Sequence, residues 1–188
     1  MSKKEKRKSQ LEVLKSIGHI AFQQKCFDIE QRLFGSPEWK RSSTVSITVS
    51  KPPELDTWNI IKRGWEEGKA MVVPKCLPET RQMIFYKLDD FHQLEQSYFN
   101  LYEPDPAKSV AVHNESIELM IVPGLSYTTA GYRLGFGGGY YDRLLSGFSG
   151  TAMSLALEEQ MVESLPIEPF DMQVSTILTE MRRIDCED

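Results

Sequence analysis

Residues 117–145 read IELMIVPGLSYTTAGYRLGFGGGYYDRLL. The first six predict a buried strand that ends at Pro123–Gly124, and a helix is expected from about residue 138. Four glycines, at positions 135, 137, 138 and 139, are clustered where the helix is expected to begin. A glycine-rich loop between a strand and a helix is typical of a phosphate site, because backbone N–H groups can approach an anion without a Cβ in the way. The N-terminus of the helix is expected to add positive charge there.

The side chains around the glycines suit a nucleotide. Arg133 opens the stretch and could bind phosphate oxygens through two parallel hydrogen bonds. Asp142 closes it and could supply an oxygen ligand for the Mg²⁺ that accompanies a nucleotide. Tyr140 and Tyr141 could stack on a flat ring or pack the helix onto the sheet.

The same glycines could equally form a tight turn that binds nothing. They do not match the dinucleotide-binding fingerprint, because Tyr140 takes the place of its last glycine. They do not match a P-loop, because no Lys-Ser or Lys-Thr pair follows them. The residues alone leave both interpretations open.

Length and composition indicate one ordinary globular domain over residues 1–188, with 40% hydrophobic and 26% charged residues. The net charge of −5 argues against a general nucleic-acid binder, and no apolar run approaches the roughly 20 residues that span a bilayer. Three widely spaced cysteines and a basic N-terminus without an apolar segment predict a cytoplasmic protein with free thiols. No obligate protein partner is evident.

Apolar periodicity predicts alternating helices and strands along most of the chain. This order predicts an α/β fold: a three-layer α/β/α single domain with a mainly parallel central sheet, Rossmann-like, whose ligands collect where the strands end. Loops 50–54, 74–78 and 123–139 are expected at that edge. Besides the elements already given, helices are predicted at 3–34, with a break near Gly18, and at 57–67, and strands at 43–49, 70–73, 83–88, 151–157 and 174–179.

Four further charged residues are candidates for a site, each with a plainer alternative. Glu54 follows the first strand, and a solvated loop carboxylate is the plainer interpretation. Asp171 could share a Mg²⁺ with Asp142, although nothing in the spacing requires them to meet. Lys3 and Arg7 are four residues apart and therefore share one helix face, which surface solvation would also explain.

The stretch VPGLSYTTAGYRLGFGGGYYDRLL resembles the signature of the 5-formyltetrahydrofolate cyclo-ligases, also called methenyltetrahydrofolate synthetases. The resemblance extends over nearly the whole chain and keeps the order of features. Outside the stretch it rests on Lys3-x-x-x-Arg7, Val49, Glu54, Gly68-Lys69 with Pro74, Glu103-Pro104 and Asp171.

The resemblance implies an enzyme that converts 5-formyltetrahydrofolate to 5,10-methenyltetrahydrofolate with ATP and Mg²⁺, through a phosphorylated formyl group. It implies Arg133 and Tyr140 as catalytic residues and Asp142 and Asp171 as metal ligands. The nucleotide site it implies comprises Lys3, Arg7, Arg133, Leu134, Gly135, Phe136, Gly137, Gly138, Gly139, Tyr140 and Tyr141. The folate site it implies comprises Val49, Glu54, Gly137, Gly138, Gly139 and Tyr140.

The chain departs from the family pattern at three places. Lys75 and Cys76 stand where basic residues are common, and Ser175 replaces an aspartate. The lysine cluster also permits the register Lys4-x-x-x-Lys8 for the N-terminal pair. Two other functions stay open: a folate or nucleotide sensor without catalysis on the same scaffold, and a phosphosugar-binding α/β protein.

Overall fold

The computed structural model describes residues 1–186. Its helices are α1 (Lys3–Ser16), α2 (His19–Gly35), α3 (Pro37–Arg41), α4 (Trp58–Glu66) and α5 (Tyr140–Leu145). Its strands are β1 (Thr44–Ser46), β2 (Ala70–Leu77), β3 (Gln82–Lys87), β4 (Leu94–Gln96), β5 (Tyr102–Pro104), β6 (Ala111–Val112), β7 (Leu119–Ile121), β8 (Ser126–Tyr127), β9 (Arg133–Leu134), β10 (Thr151–Leu155), β11 (Thr176–Leu178) and β12 (Arg183–Asp185).

Eight strands form one mixed sheet in the order β12-β11-β10-β7-β1-β2-β3-β6. The five central strands, from β11 to β2, pair in parallel. The remaining three, β12, β3 and β6, add antiparallel pairs at the two edges. Two small hairpins, β4-β5 and β8-β9, lie outside this sheet. The predicted α/β fold with a mainly parallel sheet is therefore confirmed.

Both faces of the sheet are covered, because the apolar residues of each strand alternate between two core clusters. Met71 and Val73 belong to the cluster that packs under α1, α2, α3 and α4. Val72 belongs to the other cluster, which contains Leu145 of α5. The helices on opposite faces confirm the predicted three layers. No helix within residues 1–186 is both long enough and apolar enough to cross a bilayer.

The helix boundaries follow the predicted signals. The break near Gly18 is confirmed, since α1 ends at Ser16 and α2 begins at His19. The start of α4 is fixed by Asp56, whose carboxylate accepts a hydrogen bond of 2.9 Å from the N–H of Trp58. Gly68, at φ +75°, follows α4 as predicted for a helix C-terminus. The glycine stretch is followed by a helix as predicted, but α5 has only six residues.

The prediction that Pro74 ends the second strand is wrong, because β2 continues to Leu77. Val72 pairs with Ser46, the last residue of β1, so the edge of β2 that faces β1 has no partner strand beyond this point. Pro74 lies on that edge, two residues after Val72, where the N–H that proline lacks would have no strand to bind. Sequence analysis also missed the β8-β9 hairpin and the edge strand β12.

Candidate active site

The glycine stretch forms a loop between β9 and α5 at the carboxyl edge of the sheet. Two of its glycines have backbone conformations that favour glycine, with φ +107° at Gly137 and +67° at Gly139. A Cβ on Gly138 would lie 2.4 Å from a ring carbon of Tyr140, so a side chain there would displace that ring. These constraints keep the backbone of the loop open to a ligand. The six residues of α5 are too few for a strong dipole, so the loop and nearby cations must supply most of the positive charge.

Arg7 of α1 lies against this loop. Its Nε donates a hydrogen bond of 2.8 Å to the carbonyl of Gly135. Its guanidinium carbon lies 3.5 Å from the position that a Cβ on Gly137 would occupy. Within residues 1–186, Nε is the only nitrogen of Arg7 with a hydrogen-bond partner. Both Nη groups are therefore available to an anion held by the glycines.

The other predicted cation of α1, Lys3, has partners within the protein. Its Nζ pairs with Glu168 and lies 3.3 Å from a carboxylate oxygen of Asp171. Burial lowers the pKa of Lys3 and is the largest single influence, but the two carboxylates together raise that pKa above its usual value. Lys3 thus holds the turn at 168–171 onto α1. The third N–H of its ammonium group has no hydrogen-bond partner among residues 1–186 and could donate to a phosphate.

Arg133 and Asp142 also bind each other, at 2.9 Å between Nη2 and Oδ1. The backbone of Met172 completes a closed set of contacts: its N–H donates to the same Oδ1 at 3.0 Å, and its carbonyl accepts from Nη1 of Arg133 at 2.7 Å. The Arg133 side chain is only 4% exposed. These contacts fix Asp142 and the segment after Asp171. Direct binding of phosphate by Arg133 stays a prediction.

Asp142 and Asp171 provide hard oxygen ligands on neighbouring segments. Each uses one carboxylate oxygen within the protein: Oδ1 of Asp142, as above, and Oδ2 of Asp171, which accepts from Lys3 and from the N–H of Glu168 at 2.8 Å. The second oxygen of each has no hydrogen-bond partner among residues 1–186. In the same range, no group of three or more Asp, Glu, His or Cys could hold a metal alone. Two carboxylates fit Mg²⁺, which binds through one or two such groups together with phosphate oxygens.

Glu54 lies in the loop that follows β1. One of its carboxylate oxygens accepts from the backbone N–H of Lys51 at 3.4 Å. Burial raises the pKa of Glu54, although that hydrogen bond and the charge of Lys51 oppose the rise. The residue is partly buried and not the freely solvated carboxylate of the plainer interpretation. Val49, also predicted for the folate site, is 7% exposed and belongs to the core cluster.

Tyr141 lies near Cys76, Arg133 and Glu54. Its hydroxyl is buried and has no hydrogen-bond partner within residues 1–186. Burial raises the pKa of this hydroxyl strongly, and Cys76 and Glu54 raise it further, while the charge of Arg133 opposes the rise. A buried hydroxyl without a partner could bind a polar atom of a ligand. The nucleotide contact predicted for Tyr141 stays a prediction.

Cys76 and Glu103 join the site without having been predicted. The N–H of Cys76 donates to a carboxylate oxygen of Glu103 at 2.8 Å, and Glu103 is 7% exposed. Burial and the charge of Glu103 raise the pKa of the Cys76 thiol to about 12. Sequence analysis assigned Cys76 to a loop after Pro74, so it could not place this thiol on a strand beside the site.

Leu134 and Tyr140, both predicted to bind ligand, lie at the two ends of the glycine loop. The Leu134 side chain is 3% exposed, so only its backbone could approach a nucleotide. Tyr140 packs against Gly138 and lines a cavity of about 560 Å³ between the β2-β3 turn and α5. Arg143 lines the same cavity and donates to the carbonyls of Gly138 and Gly139 at 3.2 and 3.3 Å. These contacts brace the glycine loop from its far side.

Comparison with known proteins identifies the family. Residues 1–180 match the family model described as the 5-formyltetrahydrofolate cyclo-ligase family. The chain is 27% identical over 163 residues to the mouse 5-formyltetrahydrofolate cyclo-ligase, covering 81% of this chain and 80% of that one. It is 27% identical over 152 residues to the enzyme of the same name from Escherichia coli K12, covering 79% and 84%.

Solved structures agree with this assignment. The NMR structure of Aquifex aeolicus 5,10-methenyltetrahydrofolate synthetase has a TM-score of 0.87 at 29% identity, covering 100% of this chain and 94% of that one. A 5,10-methenyltetrahydrofolate synthetase from Mycoplasma pneumoniae shares the fold, with a TM-score of 0.78 at 21% identity, covering 96% and 99%. The resemblance first seen around the glycines thus holds along the chain, which belongs to the 5-formyltetrahydrofolate cyclo-ligase family.

Proposed function

We propose that this protein is a ligase that closes 5-formyltetrahydrofolate to 5,10-methenyltetrahydrofolate, consuming ATP with Mg²⁺ and releasing ADP and phosphate. The observation that carries the proposal is the position of Arg7, whose free Nη groups lie over Gly137 in a chain of this family. Phosphoryl transfer depends on positioning and charge neutralisation more than on a protein nucleophile. A glycine loop, a cation and two aspartates are suited to that task.

The chemistry has two steps. The formyl oxygen of the substrate attacks the γ-phosphorus of ATP, and ADP leaves; this converts a poor leaving group into a phosphate. The second folate nitrogen then attacks the activated formyl carbon and releases its proton to solvent, the five-membered ring closes, and phosphate departs with the former formyl oxygen. Arg7 stabilises the charge on the transferring group, and backbone N–H groups of residues 135–139 bind the phosphates.

Asp142 and Asp171 would hold Mg²⁺, which neutralises phosphate charge and orients the γ-phosphate. Arg133 acts on Asp142 as a positioning residue, through the ion pair at 2.9 Å. Lys3 positions Asp171 in the same way. In this proposal Arg133 therefore acts through Asp142, in place of the direct phosphate contacts that the sequence led us to expect.

Glu54 and Tyr141 bind the folate in this proposal. The Glu54 carboxylate accepts hydrogen bonds from the polar N–H groups of the pterin ring, and Val49 supplies an apolar contact. The Tyr141 hydroxyl, buried without a partner among residues 1–186, gains one when the substrate binds. Leaving such a hydroxyl unpaired costs about 1–3 kcal/mol, so the gain favours binding.

The decisive experiment mixes the protein with Mg-ATP and 5-formyltetrahydrofolate and follows the near-ultraviolet absorbance of the methenyl product. We expect product and phosphate to form in equal amounts, and neither to form when ATP is omitted or EDTA is added. Binding of folate without ATP consumption would contradict the proposal and indicate a sensor. A cytoplasmic location, and action without nucleic acid, membrane or an obligate protein partner, stay predictions.

A further inference from the structure

Two exposed phenylalanines lie in the segments that bind Lys3 and Arg7 of α1. The Phe136 side chain is 52% exposed and that of Phe170 is 63% exposed. Single exposed apolar residues are normal on protein surfaces. Phe136 and Phe170 are unlike such isolated residues, because the backbone before and after each of them is held in place by contacts with other residues. Neither ring packs into a core cluster.

Phe136 is fixed by its neighbours in the glycine loop. The carbonyl of Gly135 accepts the Arg7 hydrogen bond, and the Arg7 guanidinium lies over Gly137. The backbone around Phe136 therefore lies against α1, and its ring remains in solvent beside the cation proposed to bind phosphate.

Phe170 is fixed by the turn that contains it. The N–H of Asp171 donates to the carbonyl of Glu168 at 2.9 Å, and the Asp171 carboxylate accepts from the N–H of Glu168 at 2.8 Å. Lys3 binds both carboxylates of this turn. Met172, two residues on, is bound by Arg133 and Asp142. A turn held at both ends keeps the Phe170 ring in solvent.

The two rings belong to one neighbourhood because α1 joins their loops. Lys3 and Arg7 are four residues apart, so their side chains share a face about 6 Å apart along the helix axis. Lys3 binds the Phe170 turn and Arg7 binds the Phe136 loop. A ligand with an anionic end at Gly137 and a flat ring beside it matches this combination of cation and aromatic rings.

We propose that Phe170, together with Phe136, stacks on the purine base of the bound nucleotide; this inference rests on the ATP dependence proposed above. Aromatic side chains stack on the faces of nucleobases, and the larger purine gains more from this contact than a pyrimidine. The pterin is the other flat ring to consider. The proposed partner of the pterin is Glu54. Among residues 1–186, the loop that contains Glu54 forms no hydrogen bond with α1, with residues 135–137 or with the turn at 168–171. The purine is therefore the better match.

The test compares Phe170→Ala, Phe136→Ala and Phe170→Trp with Phe27→Ala. Phe27 is a matched control, because it is 53% exposed but lies on α2. Calorimetry measures binding of ATP, CTP and inorganic tripolyphosphate, and steady-state kinetics give the KM for folate. We expect Phe170→Ala to weaken ATP binding about tenfold, Phe136→Ala to weaken it less, and Phe170→Trp to bind ATP at least as well as the unmodified protein.

Tripolyphosphate has no base, so all variants should bind it equally if only stacking is lost. ATP should also lose most of its advantage over CTP in Phe170→Ala. Unchanged ATP affinity in both alanine variants would overturn the inference. Equal losses for ATP and tripolyphosphate, or a rise in the folate KM alone, would overturn it as well. A protein that binds ATP through Phe170 but forms no methenyl product would retain this inference and refute the proposed reaction.

Discussion

Asp142 accepts a hydrogen bond of 2.9 Å from Arg133, and the same carboxylate oxygen accepts one of 3.0 Å from the backbone of Met172. One oxygen atom thus joins the residue that opens the glycine stretch to the segment that carries Asp171. The proposed metal ligands depend on this contact for their relative position. Stability and Mg²⁺ affinity should therefore respond together when it is broken.

Arg133→Ala is expected to lower the free energy of unfolding by about 2–3 kcal/mol, because it leaves the Met172 carbonyl and the Asp142 carboxylate without their buried donor. Urea unfolding measures the change. Arg182→Ala is the control: the Arg182 side chain is 52% exposed and pairs with Glu158 on the surface, so its loss should lower stability much less than the loss of Arg133. Equal losses in the two variants would mean that the buried contact contributes nothing special.

Asp142→Asn and Asp171→Asn should each raise the Mg²⁺ concentration needed for half-maximal activity, because an amide is a weaker ligand for a hard cation than a carboxylate. We expect excess Mg²⁺ to restore part of the activity. Titration of Mg²⁺ at saturating folate makes the measurement. Variants that lose activity at every Mg²⁺ concentration without a shift in the midpoint would argue against both aspartates as ligands.

Glu54→Gln should behave differently from the aspartate variants. It keeps the shape of the side chain but replaces one acceptor oxygen with a donor, so the KM for folate should rise about tenfold while the KM for ATP stays nearly constant. Excess Mg²⁺ should not rescue it. Rescue by Mg²⁺ would show that Glu54 and the aspartates have been assigned the wrong roles.

The pH dependence of folate use should follow Glu54. Burial raises the pKa of Glu54 above its ordinary value, so the ionised form that binds the pterin is lost as pH falls through this raised pKa. The effect of Glu54 on the free energy of unfolding is opposite in sign to that of a carboxylate whose pKa is lowered by folding. As pH rises from the unfolded-state pKa of Glu54 to its higher folded-state pKa, its contribution makes the protein less stable. Because the charge of Lys51 lowers the pKa, Lys51→Ala should move the acid limb of kcat/KM for folate to higher pH.

Two controls bracket this pH experiment. Lys62→Ala removes a lysine of α4 and should leave the limb in place. Glu54→Gln should abolish the limb. An acid limb that persists unchanged in Glu54→Gln would assign the titration to another group.

Gly137→Ala should weaken ATP binding about tenfold. The added Cβ would contact Arg7 at an ordinary 3.5 Å, but φ +107° is strained for alanine, so the loop must shift. Gly35→Ala, at the end of α2, is the control: its Cβ would meet no atom within 4 Å and its φ is not positive. Unchanged ATP affinity in Gly137→Ala would indicate a simple turn.

The sequence predicted the central sheet because its strands are short apolar runs bounded by turn residues, and it predicted the break at Gly18 for the same local reasons. It failed at Pro74, where tolerance of a proline depends on where the neighbouring strand ends. The contact between Arg133 and Asp142 was not predicted either, because an arginine beside glycines carries no sign of the aspartate nine residues later that binds it. Side-chain partners of this kind are set by tertiary structure, which single-residue patterns do not encode.

Helix α1 reaches the site through two long-range contacts. Arg7 contacts Gly135, which is 128 positions later in the sequence, and Lys3 contacts Asp171, which is 168 positions later. Of the α1 residues only Leu14, which is 3% exposed, belongs to a buried core cluster, so we expect α1 to detach more readily than the central strands. Detachment would remove Arg7 from the glycines and release the turn that holds Asp171. Nucleotide affinity and the local unfolding equilibrium of α1 are then thermodynamically linked. Bound nucleotide should therefore slow amide hydrogen exchange in α1 more than it slows exchange in the central strands.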